Sequence, residues 1–367
     1  MSQMSNQTVL FNIKYCDVCK FGISGILMER PKLLGFYTYN YENYAPAQYV
    51  KYFKEPQPQD YPLDLNEGYS TCRFREPSTV ESRLHLPLRY AMSSVEVSST
   101  STLNYHKRSA IYTGRRVLTK IMQWCYEKKF DFHVLVSRYN GNLYMAGDRS
   151  WEGIPSNVHH KRFEQLLFAD SPEKPPNCDE PINENITQSV LHRCKLGNYE
   201  ILYAGEAQGI ISEEKIENLD DMEALDKCRF VFTKQLWANV KDKENKFLTY
   251  WIQSYLSAID DIYVGYKSFG GFVETPIECM KISDMPRKYS WDPAVCFGFL
   301  NYFLEQVEQL MSKVNCLHTV YEFTFRVRDK ATVYEIYEGN SDKSFIPQFY
   351  ADFVARGSPM ETNDETN

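Results

Sequence analysis

Apolar residues at Phe247, Leu248, Trp251, Ile252, Tyr255, Leu256 and Ile259 recur at helical spacing, which predicts an amphipathic helix through Lys246–Leu256. Gln253 falls off that stripe. Two earlier runs, Tyr203–Gln208 and Arg229–Lys234, read as strands joined by a long loop. In a strand, residues i and i+2 share a face, so Glu206 points with Gln208 and Phe232 with Lys234. The chain is organised around this unit of strand, loop, strand and helix, with Gln253 placed to look toward the strand residues.

The remaining pattern supplies the frame. Residues 7–14 predict a short strand, and Glu29–Tyr39 an extended segment entering a second one. Lys54–Tyr69, with Pro56, Pro58, Pro62 and Gly68, is a turn-rich connector, and the tract Ser93–Thr102 an exposed loop. Val117, Leu118, Ile121, Met122 and Cys125 share one face of a helix over Arg115–Cys125. Phe132–Arg138 and Leu143–Ala146 around Asn140-Gly141 form a hairpin signature. Ser171–Asn185 reads as a mobile surface loop, and Ile262–Tyr266 with Phe272–Ile277 as a hairpin about Gly270-Gly271. Asp292-Pro293 starts a helix running to about Met311, followed by strands near Thr319–Val327 and Thr332–Tyr337. Strands outnumber helices, and neither a repeat nor a linker is visible. The expectation is one mixed α/β (α+β) domain over residues 1–355, with twisted mixed sheets flanked by helices and a disordered polar tail at 356–367.

Composition narrows the function. A chain of 367 residues that is 43% hydrophobic and 15% aromatic can bury a core. Its net charge of −7 argues against bulk adhesion to nucleic acid or anionic lipid, so any nucleic-acid site must be a local pocket. No run of about 18 apolar residues marks a membrane span, and Met1–Thr8 lacks the pattern of a signal peptide. Ten cysteines without an export signal point to reduced thiols in cytoplasm or nucleus. Cys16 and Cys19 have zinc-knuckle spacing but no second half, so two part-buried thiols near a strand end is the favoured reading and zinc the alternative. His159-His160 sits in a loop-like run and reads as exposed.

Two carboxylates spaced i, i+2, with acid-x-Lys on a second strand, are how many nucleases hold divalent metal. That skeleton is present here, but two acid positions carry Gln208 and Phe232. One glutamate, one neutral amide and a phenyl ring cannot supply the hard oxygens that two Mg²⁺ ions need. No metal and no other cofactor is therefore expected. Glu206 with Lys234 reads alternatively as a partly buried ion pair, and Gln253 as a core amide. Lys107, Arg108, Arg115, Arg116 and Lys120 form either a solvated helix end or a grip on phosphate.

Taken in order, Arg30-Pro-Lys-Leu-Leu-Gly-Phe36, Asp64-Leu-Asn-Glu-Gly-Tyr69, Arg115-Arg-Val-Leu-Thr-Lys120, Trp251-Ile-Gln-Ser-Tyr-Leu256 and Trp291-Asp-Pro293 resemble motifs of the DXO family. Its members are RNA 5′-end decapping enzymes and exoribonucleases. The resemblance spans roughly Arg30 to Tyr337 and implies that family's nuclease fold. It makes Glu206 the first acid of Glu-x-Asp, with Gln208 for the aspartate. Phe232 replaces the glutamate of Glu-x-Lys, Lys234 is kept, and Gln253 matches an active-site glutamine. Arg115 matches an RNA-contacting arginine, with Arg116 in place of glycine. An acid implied after the hairpin falls at Ala146 or Gly147, leaving Asp148 as a substitute.

The resemblance thus implies a catalytically inactive homologue whose family Mg²⁺ site is lost. RNA 5′ ends would be bound through Arg115, Arg116, Lys120, Lys234 and Gln253. Among members with an eroded site the chain is most similar to a nuclear one of insect germlines. That similarity implies location in the nucleus and partners such as Deadlock and Rhino. The implied role is protection of nascent transcripts or suppression of termination at piRNA source loci. Two alternatives stand beside it: an active metal-dependent 5′-end hydrolase with a rearranged site, and a protein-only scaffold for a nuclear exoribonuclease.

Overall fold

Alternating apolar and polar positions become strands here because side chains i and i+2 can then be buried together on one face. The computed structural model describes residues 7–14, 17–40, 43–68, 71–73, 84–98, 110–147 and 159–357. In chain order its strands begin with Thr8–Asn12 (β1), Lys32–Asn40 (β2), Asn43–Pro46 (β3), Tyr52–Phe53 (β4), Leu63–Asp64 (β5) and Ala110–Gly114 (β6). Phe132–Tyr139 (β7), Asn142–Gly147 (β8), Phe168–Ala169 (β9), Ile186–Leu196 (β10), Tyr199–Ala207 (β11) and Gly209–Ile211 (β12) follow. The last six are Arg229–Trp237 (β13), Asp261–Lys267 (β14), Phe272–Val273 (β15), Glu278–Lys281 (β16), Cys316–Arg326 (β17) and Ala331–Tyr337 (β18). The helices are Val18–Ile23 (α1), His85–Ser98 (α2), Arg115–Gln123 (α3), His159–Leu167 (α4), Met222–Asp226 (α5), Lys243–Tyr255 (α6), Met285–Lys288 (α7), Pro293–Leu310 (α8) and Gln348–Gly357 (α9).

The larger sheet runs β1-β18-β17-β7-β8-β6-β11-β10-β2-β3, and the smaller β5-β15-β14-β13-β12-β4-β9 with β16 beside β14. The architecture is therefore the expected mixture of twisted mixed sheets and helices. Three features of it place the site. First, the chain leaves the larger sheet at Ala207 and enters the smaller at Gly209, so Gln208 stands at the switch. Second, β6 is parallel to β11, with Gly114 opposite Ala204, and runs straight into α3. That register carries Arg115 to the end of the sheet where Glu206 lies. Third, β13 and β14 are parallel, and α6 is the crossover that a parallel pair requires.

Helices α3, α6 and α8 tie the sheets into one core cluster. Leu118, Ile121, Leu248, Ile252, Phe299 and Leu300 pack there with Val134 and Tyr203 of the larger sheet and Phe232 and Ile262 of the smaller. The capping signals behave as read: Asp292 Oδ1 accepts from the Ala294 amide at 2.8 Å ahead of Pro293. Asn140 and Gly141 both have positive φ, 48° and 77°, as the tight hairpin turn demands.

Several expectations need correction. Ser93–Ser98 is the last part of α2, not a loop. Leu84, Leu86 and Leu88 anchor that helix in the interior, and helix propagation carries it on through Ser93, whose Oγ bonds back to the Tyr90 carbonyl at 2.9 Å. Residues 99–102 lie outside the described residues. Ser171–Asn185 is irregular but anchored: Ile182, Glu184 and Asn185 are buried, and the Glu184 amide donates to the Arg73 carbonyl at 2.9 Å. The connector Lys54–Tyr69 holds a strand, β5, paired with β15. His159-His160 opens a helix, α4, and His159 is half-buried while His160 is exposed. Arg356 and Gly357, expected in the disordered tail, are the end of helix α9, and residues 358–367 lie outside the described residues.

Helix α4 is held to β14 by Phe163, which is 1% exposed. A Cβ on Gly265 would lie 2.6 Å from that ring, so only glycine lets the two elements meet. Gly265→Ala is expected to destabilise the fold by ~1–3 kcal/mol through overpacking. A lowered urea midpoint checks this; an unchanged midpoint would show that Phe163 does not hold α4 in place.

Candidate functional site

At the switch between the sheets, Gln208 turns its amide onto the backbone of β13. Its Oε1 accepts from the Thr233 amide at 2.6 Å, and its Nε2 donates toward the Thr233 carbonyl at 3.4 Å. The side chain thus does what a neighbouring strand's peptide group would do. An aspartate in that position could accept from Thr233 but could not donate to it.

Beside it, Phe232 is 3% exposed and has two cations close to its ring. The Lys234 ammonium stands 4.5 Å from the ring centroid and the Arg115 guanidinium 5.1 Å. Arg115 is half-buried and donates to the Glu206 backbone carbonyl at 2.7 Å and to Ser257 Oγ at 2.6 Å. It passes so close to Gly205 that a Cβ there would lie 2.8 Å from the guanidinium. Burial pushes the Arg115 pKa down to about 10. Lys234 donates to Gln253 Oε1 at 2.9 Å, so Gln253 does face the strand residues from α6. Burial, reinforced by Arg115, pulls the Lys234 ammonium down to about 7. His192 on β10 is buried and stacked on Tyr203, and burial with Arg115 nearby drops it to about 3. A cavity lined in part by His192, Ala207, Phe230, Phe232 and Ile259 has room for roughly one water, about 10 Å³.

Glu206 does not pair with Lys234, as one reading of the sequence had it. Its carboxylate accepts from Lys161 at 2.5 Å, and Lys161 also reaches Glu164 at 3.1 Å. Burial works against the Lys161 charge, but Glu164 and Glu206 outweigh it and hold the ammonium well above the ordinary lysine range. Gln208 Nε2 stands 3.4 Å from the same Glu164 carboxylate. Both new residues come from α4, one helical turn apart. A helical reading of Phe163, Leu166 and Leu167 would have found them, and taking His159-His160 as loop hid it.

Among the described residues, the acid that joins Glu206 here is Glu164. Ala146 is buried among Leu84, Leu88, Leu135 and Tyr144, in a separate apolar cluster. Gly147 ends β8 opposite Val134, and Asp148 lies outside the described residues. Arg116 is exposed and Lys120 half-buried on α3, and they sit apart from the recessed set of Arg115, Lys234 and Gln253. Lys107, Arg108 and Cys16 also lie outside the described residues. Cys19 is exposed on helix α1 rather than part-buried near a strand end, and among the described residues no three His, Cys, Asp or Glu come together around a metal position. A pair of divalent ions needs several hard anionic oxygens. Among the described residues two carboxylates meet here, an ammonium stands between them, and Gln208 offers Glu164 a donor. That set does not fit a two-metal centre.

A family model described as RAI1 like PD-(D/E)XK nuclease matches residues 29–351. The chain belongs to that family. The Decapping and exoribonuclease protein Rai1 of Drosophila melanogaster is 25% identical over 89% of this chain and 92% of its own length. The crystal structure of Candida albicans Rai1 in complex with pU5-Mn²⁺ superposes with a TM-score of 0.70 at 15% identity, covering 96% of this chain and all of that one. Scheffersomyces stipitis Rai1, in complex with (3′-NADP)⁺ and calcium ion, gives 0.69 at 14% identity, over 97% and 99%.

The low folded-state pKa of Lys234 has a signed consequence for stability. Between about 7 and 10.5 the unfolded chain binds the proton and the folded chain does not, so stability rises with pH across that window. Lys234→Met removes the titration. The wild-type melting temperature is expected to gain on the variant by several degrees from pH 6 to 10. A difference that stays flat over that range would show that Lys234 is not desolvated as its surroundings imply.

Proposed function

We propose that this member of the RAI1-like family no longer cleaves RNA through divalent metal and instead binds RNA 5′ ends. The observation that carries the proposal is Phe232, buried with Arg115 and Lys234 against its ring. A ring there supplies no oxygen to a metal and fills space that a metal and a scissile phosphate would need. The cations around it are charges that a phosphate can use without metal, Arg through forked donors and Lys through a compact ammonium. Arg116 and Lys120 on α3 extend that charge outward for the following phosphates. The pU5 in the structure of the Candida relative supports a 5′-phosphorylated RNA as the ligand class.

The finer role rests on sequence resemblance to Cutoff, the degenerate family member of insect germlines. On that reading the protein acts in the nucleus with partners such as Deadlock and Rhino, in piRNA-source transcription, where it protects nascent transcripts or suppresses termination.

One observation favours a second reading. Glu164 and Glu206 give the site two carboxylates where the sequence promised one, and the relatives are named as decapping and exoribonuclease proteins. With Asp148 as a third acid, the chain would be an active metal-dependent 5′-end hydrolase.

The two readings separate on simple measurements. No release of nucleotides or caps is expected from 5′-monophosphate, triphosphate or capped RNA with Mg²⁺ or Mn²⁺. Metal-dependent release that disappears in Glu206→Ala would establish the second reading. Gln208→Asp combined with Phe232→Glu is not expected to restore cleavage, because the Thr233 backbone then loses its donor and Lys161 still engages both carboxylates; robust cleavage by that pair would overturn the account of the site.

RNA binding is expected without divalent ions and to weaken as salt rises. Arg116→Ala with Lys120→Ala should reduce the salt slope by about two, measured by filter binding over a salt series. An unchanged slope would remove Arg116 and Lys120 from the interface.

A further inference from the structure

We infer that Lys161 is a tethered cation standing where a divalent ion would otherwise sit, between Glu164 and Glu206, so that this pocket is held together without metal. The inference deepens the metal-free reading above and rests on it.

Two carboxylates brought together at a sheet junction repel one another unless a cation lies between them. Lys161 provides it, with its ammonium 2.5 Å from Glu206 and 3.1 Å from Glu164 and its side chain 14% exposed. The cation is not free to leave. Its helix is fixed by Phe163 against Gly265 and by the buried Arg162, which pairs with Glu67 and donates to the Cys178 carbonyl at 3.1 Å. Held in this way, the ammonium has a local concentration that a dissolved ion cannot match. Glu164 is further supplied with the Gln208 amide donor, which a metal-ligating carboxylate pair would not want at the same oxygen. Gln208 and Lys161 thus form one replacement: where a metal site places anions and a cation from solution, this chain places a neutral donor and a cation of its own.

Removing the ammonium should open the site to metal. Wild-type protein is expected to bind no Mn²⁺ in isothermal titration and to show no change in melting temperature with it. Lys161→Ala should melt lower than wild type, bind about one Mn²⁺ per chain, and recover several degrees when Mn²⁺ is added. Glu164→Gln in that background should abolish both effects.

Mn²⁺ binding by the wild type that is lost in Glu206→Gln would overturn the inference, as would absence of binding in Lys161→Ala. Should Lys161→Ala fail to fold, the comparison moves to Glu164→Gln/Glu206→Gln with and without Lys161→Met. A tethered cation stripped of its carboxylates is a buried, unpaired charge, so the triple variant should be the more stable of the two. Equal or lower stability overturns the inference. RNA hydrolysis is measured on the same samples. Metal-dependent cleavage by wild type would defeat the metal-free reading itself, whereas no cleavage together with no gain of Mn²⁺ binding defeats the role of Lys161 alone.

Discussion

A neutral ring with two cations against it is the interaction on which the centre of this protein depends. The Arg115 guanidinium and the Lys234 ammonium lie against the Phe232 ring, and such contacts are worth about 2 kcal/mol when desolvated. Neither cation has a carboxylate as its nearest partner: Arg115 uses a backbone carbonyl and a serine, and Lys234 uses Gln253. The carboxylates are thereby left to Lys161. The site is sorted into an aromatic-cation half and an acid-ammonium half, with Gln208 stitched to Thr233 at the boundary.

Much of this was legible in the chain. The alternation of Tyr203–Gln208 and Arg229–Lys234, the stripe of α6, the Asn140-Gly141 turn and the Asp292-Pro293 start all rest on local rules, and the structure keeps them. The convergence of Glu206, Gln208, Phe232, Lys234 and Gln253 was also readable, since strand and helix periodicity say which side chains share a face. What failed to show were elements whose signal is weak locally. Helix α4 opens with two histidines and two basic residues before its first apolar position, so its amphipathic pattern is short, and Lys161 and Glu164 went unread with it. The buried end of Ser171–Asn185 is fixed by tertiary bonds to residues as distant as Arg73, which no window of sequence contains.

Membership of a family of nucleases and the chemistry of this particular pocket point in different directions, and the fold explains how both can hold. The sheets, the β13-α6-β14 crossover and the α3 entry position five or six side chains whatever their identity. Exchanging an acid for Phe or Gln changes the charge at the junction without disturbing the strands, because each replacement finds a partner already there: two cations for the ring, a backbone peptide for the amide. A scaffold that supplies such partners accommodates a phenyl ring and a neutral amide at this junction at little cost in stability.

The pairing of β1 with β18 bears on how the molecule comes into being. Thr8 lies opposite Tyr334, and β17 fills the place between β7 and β18. During synthesis the open edge of β7 and the apolar strand β1 must therefore wait until the last strands emerge. Pairings that distant in sequence form slowly and leave strand edges exposed in the meantime. The half of the larger sheet built from β6, β11, β10 and β2 can assemble earlier, so the nascent chain carries Glu206 on an already paired strand while the opposite edge is still without neighbours. Chaperone demand, and sensitivity to truncation near residue 337, follow from that order of assembly.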